Sequence, residues 1–336
     1  MSGILENFPL RELNTFGIDI TCRYYTTLET KKDIISFFSN YPFINLPYLI
    51  LGFGSNILFT RDFPGLIIRP NIKGIELIEQ SGNNVWIRSG SIEEWDNLVK
   101  RCVEKGYGGI ENLSLIPGSV GSAPIQNIGA YGVELKDCID RVAAIDLKEL
   151  KEKEFSVNEC RFGYRESIFK REPGRYLITH VTLRLSRDPV FKTDYGPLQD
   201  ELKQYPEISL TAIRDAVISI RRRKLPDPLK LGNAGSFFKN PVLEKKDIQK
   251  IRKKHPRIPV HPHSGTHDKV PAAWLIEQCG WKGKRVGNAG VYNVQPLVLV
   301  NHGNASGHEI FDLSEMIRRS VYDAFGIVLE REVMVV

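Results

Sequence analysis

The sequence contains few cysteines, and none of them forms a CxxC pair. The five stand alone at Cys22, Cys102, Cys138, Cys160 and Cys279. An odd number of isolated cysteines argues against a disulfide framework and against a zinc cluster. A reducing cytosol is the compartment that this use of cysteine favours.

Long hydrophobic runs are also absent. A membrane-spanning helix needs about eighteen or more consecutive apolar residues. The longest apolar runs here, such as residues 48–51 and 297–300, have only the length of strands. The N-terminal segment carries Glu6 and Glu12 and lacks the basic-then-apolar order of a secretory signal. We therefore expect a cytoplasmic protein that is not bound to a membrane.

Positive charge is concentrated in one region. The 336 residues carry a net charge of +6, yet residues 214–257 contain fourteen Lys or Arg against four Asp or Glu. Such a concentration indicates an anionic partner. No nucleic-acid-binding motif is present and no aromatic residues interleave with the basic runs. A phosphorylated small molecule therefore fits this charge as well as nucleic acid does.

The chain has the composition of a globular protein and a length that allows two or three domains. Short β-branched runs separated by few helices predict an α+β fold. Strands are predicted at residues 74–78, 85–88, 142–146, 177–185 and 327–336, and helices at residues 30–39, 92–105, 211–223 and 314–325. Thr30 is a predicted helix cap, Gly326 a predicted helix stop, and the proline-rich stretch from Leu225 a predicted domain boundary.

Two glycine-rich loops are candidates for binding a phosphate. The first, LGFGSN at residues 51–56, follows an apolar strand, but Ile57 stands where a Rossmann fingerprint has its third glycine. The second, at residues 116–132, contains four glycines and no charged residue. Main-chain amides in such loops can bind a diphosphate without lysine. The first loop could instead be only a structural tight turn, and the second could be only a buried crossing loop.

Three further segments carry candidate reactive side chains. In CRFGYRESIFK, Arg165 could hold a carboxylate with two hydrogen bonds, or could simply pair with Glu166 on the surface. In residues 224–241, Ser236 lies in a turn rich in glycine and asparagine, and it could deliver a proton or only form the turn. No GxSxG elbow is present, so a hydrolase nucleophile is not predicted.

The third segment is the terminal LEREVMVV, where Glu332 lies in an apolar strand. A carboxylate there is costly unless it has a partner or a task. The alternative is an edge strand blunted by charge. The histidines His261, His263 and His267 do not have the spacing of a zinc site, so no metal is predicted.

In this order, the segments resemble the UDP-N-acetylenolpyruvoylglucosamine reductases, a family also called UDP-N-acetylmuramate dehydrogenases. The resemblance extends from NTFG at residues 14–17 to LEREV at residues 329–333. It implies an FAD-binding domain of the vanillyl-alcohol-oxidase (PCMH) type in two halves, residues 1–69 and 70–224. A smaller α+β substrate-binding domain at residues 225–326 and a C-terminal strand at residues 327–336 with a catalytic glutamate would follow.

The resemblance also implies the activity. It would be the FAD-dependent, NADPH-driven reduction of UDP-N-acetylglucosamine enolpyruvate to UDP-N-acetylmuramate in peptidoglycan precursor synthesis. FAD would be the cofactor and NADPH a co-substrate. The expected partners are the enolpyruvyl nucleotide sugar and NADPH. Binding to nucleic acid or to a membrane is not expected, and the chain is expected to be a monomer. Two alternatives remain from the residues alone: another FAD oxidase of the same fold, and a basic nucleic-acid-binding protein.

The family's functional residues carry over to matching positions. The catalytic residues implied are Arg165, Ser236 and Glu332. The implied FAD contacts are Gly52, Gly54, Ser55, Asn56, Pro117, Gly118, Ser119, Gly121, Ser122, Gln126, Asn127, Gly129, Ala130, Tyr131, Gly132 and Arg221. The implied substrate contacts are Tyr164, Lys224, Asn240, Gln295 and Tyr195, which in the family's longer branch folds over the nucleotide sugar. Arg331 departs from the pattern, because the family often has proline there.

Overall fold

The structure is a computed structural model that describes residues 3–40 and 46–336. The strands are β1 (Leu5–Pro9), β2 (Thr21–Leu28), β3 (Tyr48–Ile50), β4 (Ile57–Leu58), β5 (Phe63–Pro70), β6 (Ile75–Ser81), β7 (Asn84–Gly90), β8 (Gly129–Ala130), β9 (Val133–Glu134), β10 (Ile139–Asp146), β11 (Lys151–Ser156), β12 (Tyr176–Ser186), β13 (Gly232–Ser236), β14 (Val242–Glu244), β15 (His261–Pro262), β16 (His267–Lys269), β17 (Arg285–Val286), β18 (Ala289–Val291), β19 (Val298–Asn301) and β20 (Met334–Val335).

The α-helices are α1 (Lys31–Ser39), α2 (Trp95–Glu104), α3 (Ile168–Arg171), α4 (Gly196–Leu202), α5 (Leu210–Lys224), α6 (Lys245–Lys254), α7 (Ala272–Gln278) and α8 (Gly307–Phe325). Short 3-10 turns lie at Arg11–Leu13, Glu111–Leu113, Val120–Ser122 and Leu135–Asp137. The mixture of short strands and intervening helices confirms the predicted α+β class. No helix in the described ranges combines the length and apolar character needed to cross a bilayer.

The chain divides into two compact units. Of the described residues, unit 1 comprises 3–8, 22–40, 46–53 and 64–223, and unit 2 comprises 9–21, 54–63 and 224–336.

Unit 1 is built on two sheets. The first has the order β1-β2-β5-β3, with β3 parallel to β5, and the second is antiparallel in the order β11-β10-β12-β7-β6. Helix α2 covers the second sheet with Leu98, Val99 and Cys102, whose helical spacing the sequence showed. A smaller cluster around Ile34 packs α1 against residues of both sheets. Burial of these apolar side chains stabilises the unit.

Helices α4 and α5 form a third apolar cluster in unit 1. Their buried faces meet through residues such as Leu198, Leu202, Ile213 and Val217. The ring of Tyr131 packs against the same cluster. The second glycine-rich loop is therefore anchored at Tyr131 to the helical part of the unit.

Unit 2 contains an antiparallel sheet in the order β13-β19-β18-β17, and α8 packs on its central strands. Strands β14, β16 and β15 form a second antiparallel sheet. Strand β20 pairs in parallel with β4, which directly follows the first glycine-rich loop. This pairing brings the end of the chain beside residues 54–56.

Helix boundaries agree with local sequence signals at several ends. Thr30 caps α1 in a capping box with Asp33, as its position predicts. Helix α8 ends before Gly326, which has a φ of 69°. The same helix begins at Gly307 rather than at residue 314, because Ser306 forms a capping box with Glu309.

Two predicted elements are shorter than expected. Helix α2 begins at Trp95 rather than at residue 92, because the carbonyls of Ser91 and Glu93 accept hydrogen bonds from the second glycine-rich loop. The predicted terminal strand at residues 327–336 is wrong over most of its length. Ladder pairing is confined to Met334–Val335, preceded by an isolated bridge between Phe238 and Arg331.

Candidate active site

Arg165 lies at the tip of a tight turn in unit 1. The main chains of Gly163 and Glu166 exchange hydrogen bonds of 2.9 and 3.2 Å, and Tyr164 and Arg165 occupy the two positions between them. Arg165 has a φ of 56°, in the left-handed region that side chains other than glycine seldom adopt. Such conformations persist where the surroundings impose them, and they concentrate at functional sites.

The guanidinium of Arg165 contacts the second glycine-rich loop. Its Nη2 donates to the carbonyl oxygen of Gly129 at 2.9 Å, and its Nη1 donates to that of Asn127 at 3.4 Å. Its Cζ lies 5.5 Å from the centre of the Tyr164 ring. Glu166, the other residue of the surface-pair alternative, lies 3.6 Å from Lys170 and 3.8 Å from Arg171. The predicted catalytic arginine and the predicted cofactor loop therefore meet.

Asn127 connects the same loop to the arginine turn. Its side chain is fully buried, donates to the carbonyl of Gly163 at 3.0 Å and to Glu134 at 3.1 Å, and accepts from the amide of Lys136 at 3.0 Å. The amide group of Asn127 is thus engaged within the protein. Its geometry supports the arginine turn more directly than it supports a contact with a cofactor.

The two glycine-rich loops come together within unit 1. A Cβ added at Gly52 would lie 2.6 Å from Oγ of Ser119 and 3.8 Å from Cβ of Ser122. The hydroxyl of Ser122 donates to the carbonyl of Ser119 at 2.7 Å, which holds the turn compact. With the Ser119 hydroxyl in this position, any side chain at position 52 would clash with it.

The main chain around this approach has the donor set that a diphosphate requires. Among the described residues, the amides of Gly52, Phe53, Gly118 and Ser119 have no hydrogen-bond acceptor. Gly121 is held in place because its amide donates to the carbonyl of Ser91 at 2.8 Å. Neutral amides without competing side-chain charge suit a diphosphate bridge, so these loops fit FAD.

The rest of the second loop forms a two-residue hairpin. Ala130 at the end of β8 pairs with Val133, and Tyr131 and Gly132 form the turn with φ values of 49° and 85°. Positive φ at both central positions is the geometry of a type I′ turn. The ring of Tyr131 meets that of Tyr195 edge-to-face, with ring centres 5.5 Å apart. Tyr195 is half-exposed and directly precedes α4.

A partly buried ion pair fixes the start of the second loop. Asp96 accepts from Arg214 at 2.7 and 2.8 Å and from the amide of Leu115 at 2.5 Å. Burial opposes ionisation of Asp96, but the hydrogen bonds from Arg214 and Leu115 outweigh it and lower the pKa of the carboxyl. Arg221, predicted as a cofactor contact, donates to the carbonyl of Leu115 at 3.2 Å, and burial lowers the pKa of its guanidinium. No local sequence pattern marks Asp96 or Arg214 as part of the site.

Ser236 ends strand β13 in unit 2. The strand has an irregular register between Asn233 and Ser236, and Gly235 between them has a φ of 69°. The side chain of Asn233 accepts from the amide of Gly235 at 2.9 Å. The predicted glycine-asparagine turn is therefore a bulge within a strand, which redirects the serine at its end.

Glu332 lies on the segment next to Ser236. Its amide donates to the carbonyl of Phe237 at 2.8 Å, and its carbonyl accepts from the side chain of Asn56 at 3.2 Å. The amide of Met334 in turn donates to the carbonyl of Asn56 at 3.1 Å. Unit 2 therefore brings together the predicted serine, the predicted glutamate and the last residue of the first glycine-rich loop.

Gly54 and Ser55 complete that part of the loop. Gly54 has a φ of 61°, and an added Cβ would lie 2.0 Å from the carbonyl oxygen of Leu13. The close approach ties the loop to the N-terminal segment of unit 2, where the amide of Thr15 donates to the carbonyl of Gly54 at 3.1 Å. Position 54 therefore requires glycine for both its conformation and its space.

The remaining predicted substrate contacts are dispersed within unit 2. Lys224 is exposed at the end of α5. Asn240 accepts from the amide of Ala272 at 2.9 Å, and Gln295 accepts weakly from the amide of Leu297 at 3.4 Å. These two polar side chains have local structural contacts in addition to any role toward a substrate.

Two basic side chains near the C-terminal segment have definite partners. Lys239 is buried and pairs with Glu330. Arg331 donates to the hydroxyl of Ser314 at 3.1 Å and lies over the ring of Phe311 at 4.5 Å. Arg331, which departs from the family pattern, thus has its contacts with side chains of helix α8. In the described part of the chain, no group of His, Cys, Asp and Glu side chains is placed to hold a metal ion.

Comparison with known proteins covers nearly the whole chain. Residues 23–149 match the family model of the FAD binding domain, and residues 227–336 match that of the UDP-N-acetylenolpyruvoylglucosamine reductase C-terminal domain. The reductase of this name from Amoebophilus asiaticus is 47% identical over 98% of each chain. Those from Flavobacterium johnsoniae and Pseudomonas putida are 44% identical over 99% of each chain and 43% identical over 97% of each chain.

A solved structure supports the fold. The crystal structure titled UDP-N-acetylenolpyruvylglucosamine reductase from Thermus caldophilus aligns with a TM-score of 0.69 at 24% identity, covering 100% of this chain and 98% of that chain. The predicted FAD-binding fold of the vanillyl-alcohol-oxidase type, with an α+β substrate domain, is thereby confirmed. The glycine-rich loops, the arginine turn and the paired serine and glutamate segments thus lie in a chain that belongs to the UDP-N-acetylenolpyruvoylglucosamine reductase family.

Proposed function

We propose that this chain reduces the enolpyruvyl ether of UDP-N-acetylglucosamine to the lactyl ether of UDP-N-acetylmuramate, with FAD as cofactor and NADPH as reductant. The observation that carries the proposal is the contact of Arg165 with the carbonyls of Asn127 and Gly129. It joins a cation suited to a carboxylate with the neutral loop suited to a dinucleotide. The product is a precursor of peptidoglycan.

FAD, when bound, supplies the hydride acceptor and donor that the reduction of a carbon–carbon double bond requires. The residues proposed to hold its diphosphate are the main-chain amides around Gly52, Gly118 and Ser119. Backbone donors of this kind fix a phosphate by geometry and need no counter-charge. The serine hydroxyls of this region would supplement them.

Arg165 is proposed to stabilise the negative charge that develops on the substrate. Hydride addition at the methylene carbon places charge on the neighbouring carbon and its carboxylate. A guanidinium with a fixed orientation stabilises such charge without reorganisation, because its position is set before the reaction. Glu332 would assist as a neutral acid, since an ionised carboxylate would repel an enolate.

Ser236 is proposed to deliver the proton that completes the saturated centre. A positioned proton donor contributes about 100- to 10,000-fold to a rate. The bulge at Gly235 supports the role, because it fixes the direction of the hydroxyl-bearing residue at the strand end. Tyr164, Tyr195, Lys224, Asn240 and Gln295 are proposed to bind the nucleotide sugar. The basic region at residues 214–257 would attract its diphosphate and the phosphates of NADPH.

The test separates the two halves of the reaction. In Ser236→Ala, NADPH should still bleach the flavin at the original rate, whereas reoxidation by the enolpyruvyl nucleotide should fall by about 100-fold or more. Ser320→Ala provides a matched control, because the hydroxyl of that serine donates to the carbonyl of Met316 on its own helix, α8. Fast reoxidation in Ser236→Ala would overturn the assignment of the proton donor.

We further propose that the chain acts as a cytoplasmic monomer. The cysteines support a reducing location, because all five are free thiols in the structure. Light scattering of the purified holoenzyme should give the mass of one 38.2 kDa chain. A stable dimer at micromolar concentration would contradict the monomer.

A further inference from the structure

Asn112 uses one amide group to join two separate segments of unit 1. The residue lies on the short turn Glu111–Leu113 and is 1% exposed. Its Nδ2 donates to the carbonyl oxygen of Tyr131 and to that of Lys192, both at 2.8 Å. Its Oδ1 is buried and has no hydrogen-bond partner among the described residues. An unpaired buried acceptor costs free energy. The favourable contacts of the Asn112 side chain are therefore the two hydrogen bonds that its Nδ2 donates.

The two carbonyls belong to segments that the proposed function uses. Tyr131 forms the turn of the β8–β9 hairpin in the second glycine-rich loop, and Lys192 precedes Tyr195 by three residues. The rings of Tyr131 and Tyr195 make a second contact, edge-to-face at 5.5 Å between centres. The Tyr195 segment is therefore held to the glycine-rich loop at two points, one through Asn112 and one through the rings.

We infer that Asn112 is a positioning residue for Tyr195 in nucleotide-sugar binding. The inference rests on the proposed role of Tyr195 as a contact of the nucleotide sugar. Tyr195 is half-exposed at the start of a short helix, so the main-chain anchor at Lys192 restricts where its ring can lie. Restricting a binding segment before the ligand arrives increases affinity, because less freedom is lost on binding. On this inference, we expect reduction of the flavin by NADPH to be independent of the anchor.

Asn112→Asp tests the anchor with little change in side-chain size. At neutral pH the introduced carboxylate lacks both donors and faces two carbonyl oxygens. We expect the Kd of UDP-N-acetylglucosamine enolpyruvate, measured from the flavin absorbance of the oxidised holoenzyme, to rise about 10-fold. The rate of bleaching by NADPH should stay within about twofold. Lowering the pH protonates the buried carboxyl and restores one donor, so the increase in Kd should shrink.

A double variant distinguishes positioning from general weakening of the fold. If Asn112 acts through Tyr195, then Asn112→Asp combined with Tyr195→Ala should bind the nucleotide sugar no more weakly than Tyr195→Ala alone. Asn301→Asp is the matched control, since Asn301 is also buried and donates to one carbonyl, that of Phe16, at 2.9 Å. It should lower thermal stability without changing the Kd.

Three outcomes would overturn the inference, and they differ from one another. Additive losses in the double variant would show that Asn112 acts independently of Tyr195. An unchanged Kd in Asn112→Asp beside a raised Kd in Tyr195→Ala would show that the anchor has no effect on binding. An unchanged Kd in Tyr195→Ala would remove the proposed substrate contact itself. If Asn112→Asp does not fold as a flavoprotein, Asn112→Ser replaces it, because serine keeps one hydrogen-bond donor. The same single and double variants with Tyr195→Ala are then compared.

Discussion

The amide of Glu332 donates a 2.8 Å hydrogen bond to the carbonyl oxygen of Phe237, the residue that follows Ser236. The relative placement of the proposed acid and the proposed proton donor therefore depends on main-chain bonding within unit 2. Side-chain substitutions at position 332 should consequently change chemistry without moving the serine.

Glu332→Gln and Glu332→Ala test whether the glutamate acts as a neutral acid. Glutamine keeps a neutral hydrogen-bond donor of the same length, whereas alanine keeps none. We expect reoxidation of the flavin by the nucleotide substrate to be about 10-fold or more faster in the glutamine variant than in the alanine variant. Thermal melting should be similar in both. Equal rates in the two variants would contradict a role for Glu332 as a neutral hydrogen-bond donor.

Arg165→Lys tests the forked geometry of the arginine. Lysine keeps the charge but cannot donate to two carbonyls and a carboxylate in one plane. The rate of substrate-dependent reoxidation should fall about 100-fold, in the range seen when one charge-stabilising donor is removed. Arg161→Lys is the matched control, because Arg161 is exposed and also has a positive φ, of 47°. A similar loss at both positions would indicate an effect on folding.

Gly52→Ala should impair flavin retention by a defined steric contact. The new Cβ would lie 2.6 Å from Oγ of Ser119 but 3.6 Å from its Cβ, so Ser119→Ala removes the clash. We expect Gly52→Ala to purify with reduced flavin content and a lower Tm, and the double variant to recover at least the Tm. Ser119→Ala alone and Gly265→Ala, where an added Cβ has open space, provide the controls. Failure of the second change to restore Tm would exclude this contact as the cause.

The contact between Glu201 on α4 and Arg223 on α5 predicts a loss of stability in acid. The hydrogen bond from Arg223 lowers the pKa of Glu201 from 4.5 to about 2. A depressed carboxyl pKa adds stability that is fully present above the unfolded value and is lost as the pH falls through the folded value. Hydrogen exchange of α4 amides should therefore accelerate between about pH 4.5 and pH 2. In Glu201→Gln this acceleration should be much smaller, and an unchanged profile would contradict the assignment.

Local signals in the sequence were sufficient for some elements of the fold. The cap at Thr30 and the stop at Gly326 depend on residues within one turn of the helix end, so a short window of sequence contains them. Helix α6 escaped prediction because Ile248 is its only fully buried residue. Its apolar residues are Ile248 and Ile251, and one pair at helical spacing is too short a period to identify a helix.

The site was predictable as a set of residues but not as an arrangement. The contact of Arg165 with Gly129 joins positions 36 residues apart, and no local pattern encodes it. Asp96 and Asn112 were missed for the same reason, since their partners lie on distant segments. No local pattern marked either residue, because Asp96 follows the acidic Glu93 and Glu94 and Asn112 follows Glu111.

The left-handed backbone at Arg165 has a consequence for engineering. Glycine would adopt a φ of 56° at lower cost than arginine does, so replacement there should relieve backbone strain while removing the guanidinium that turnover requires. A selection that rewards heat tolerance alone would therefore enrich inactive clones at this codon. Mutant libraries intended to produce a more thermostable enzyme should therefore keep arginine at position 165.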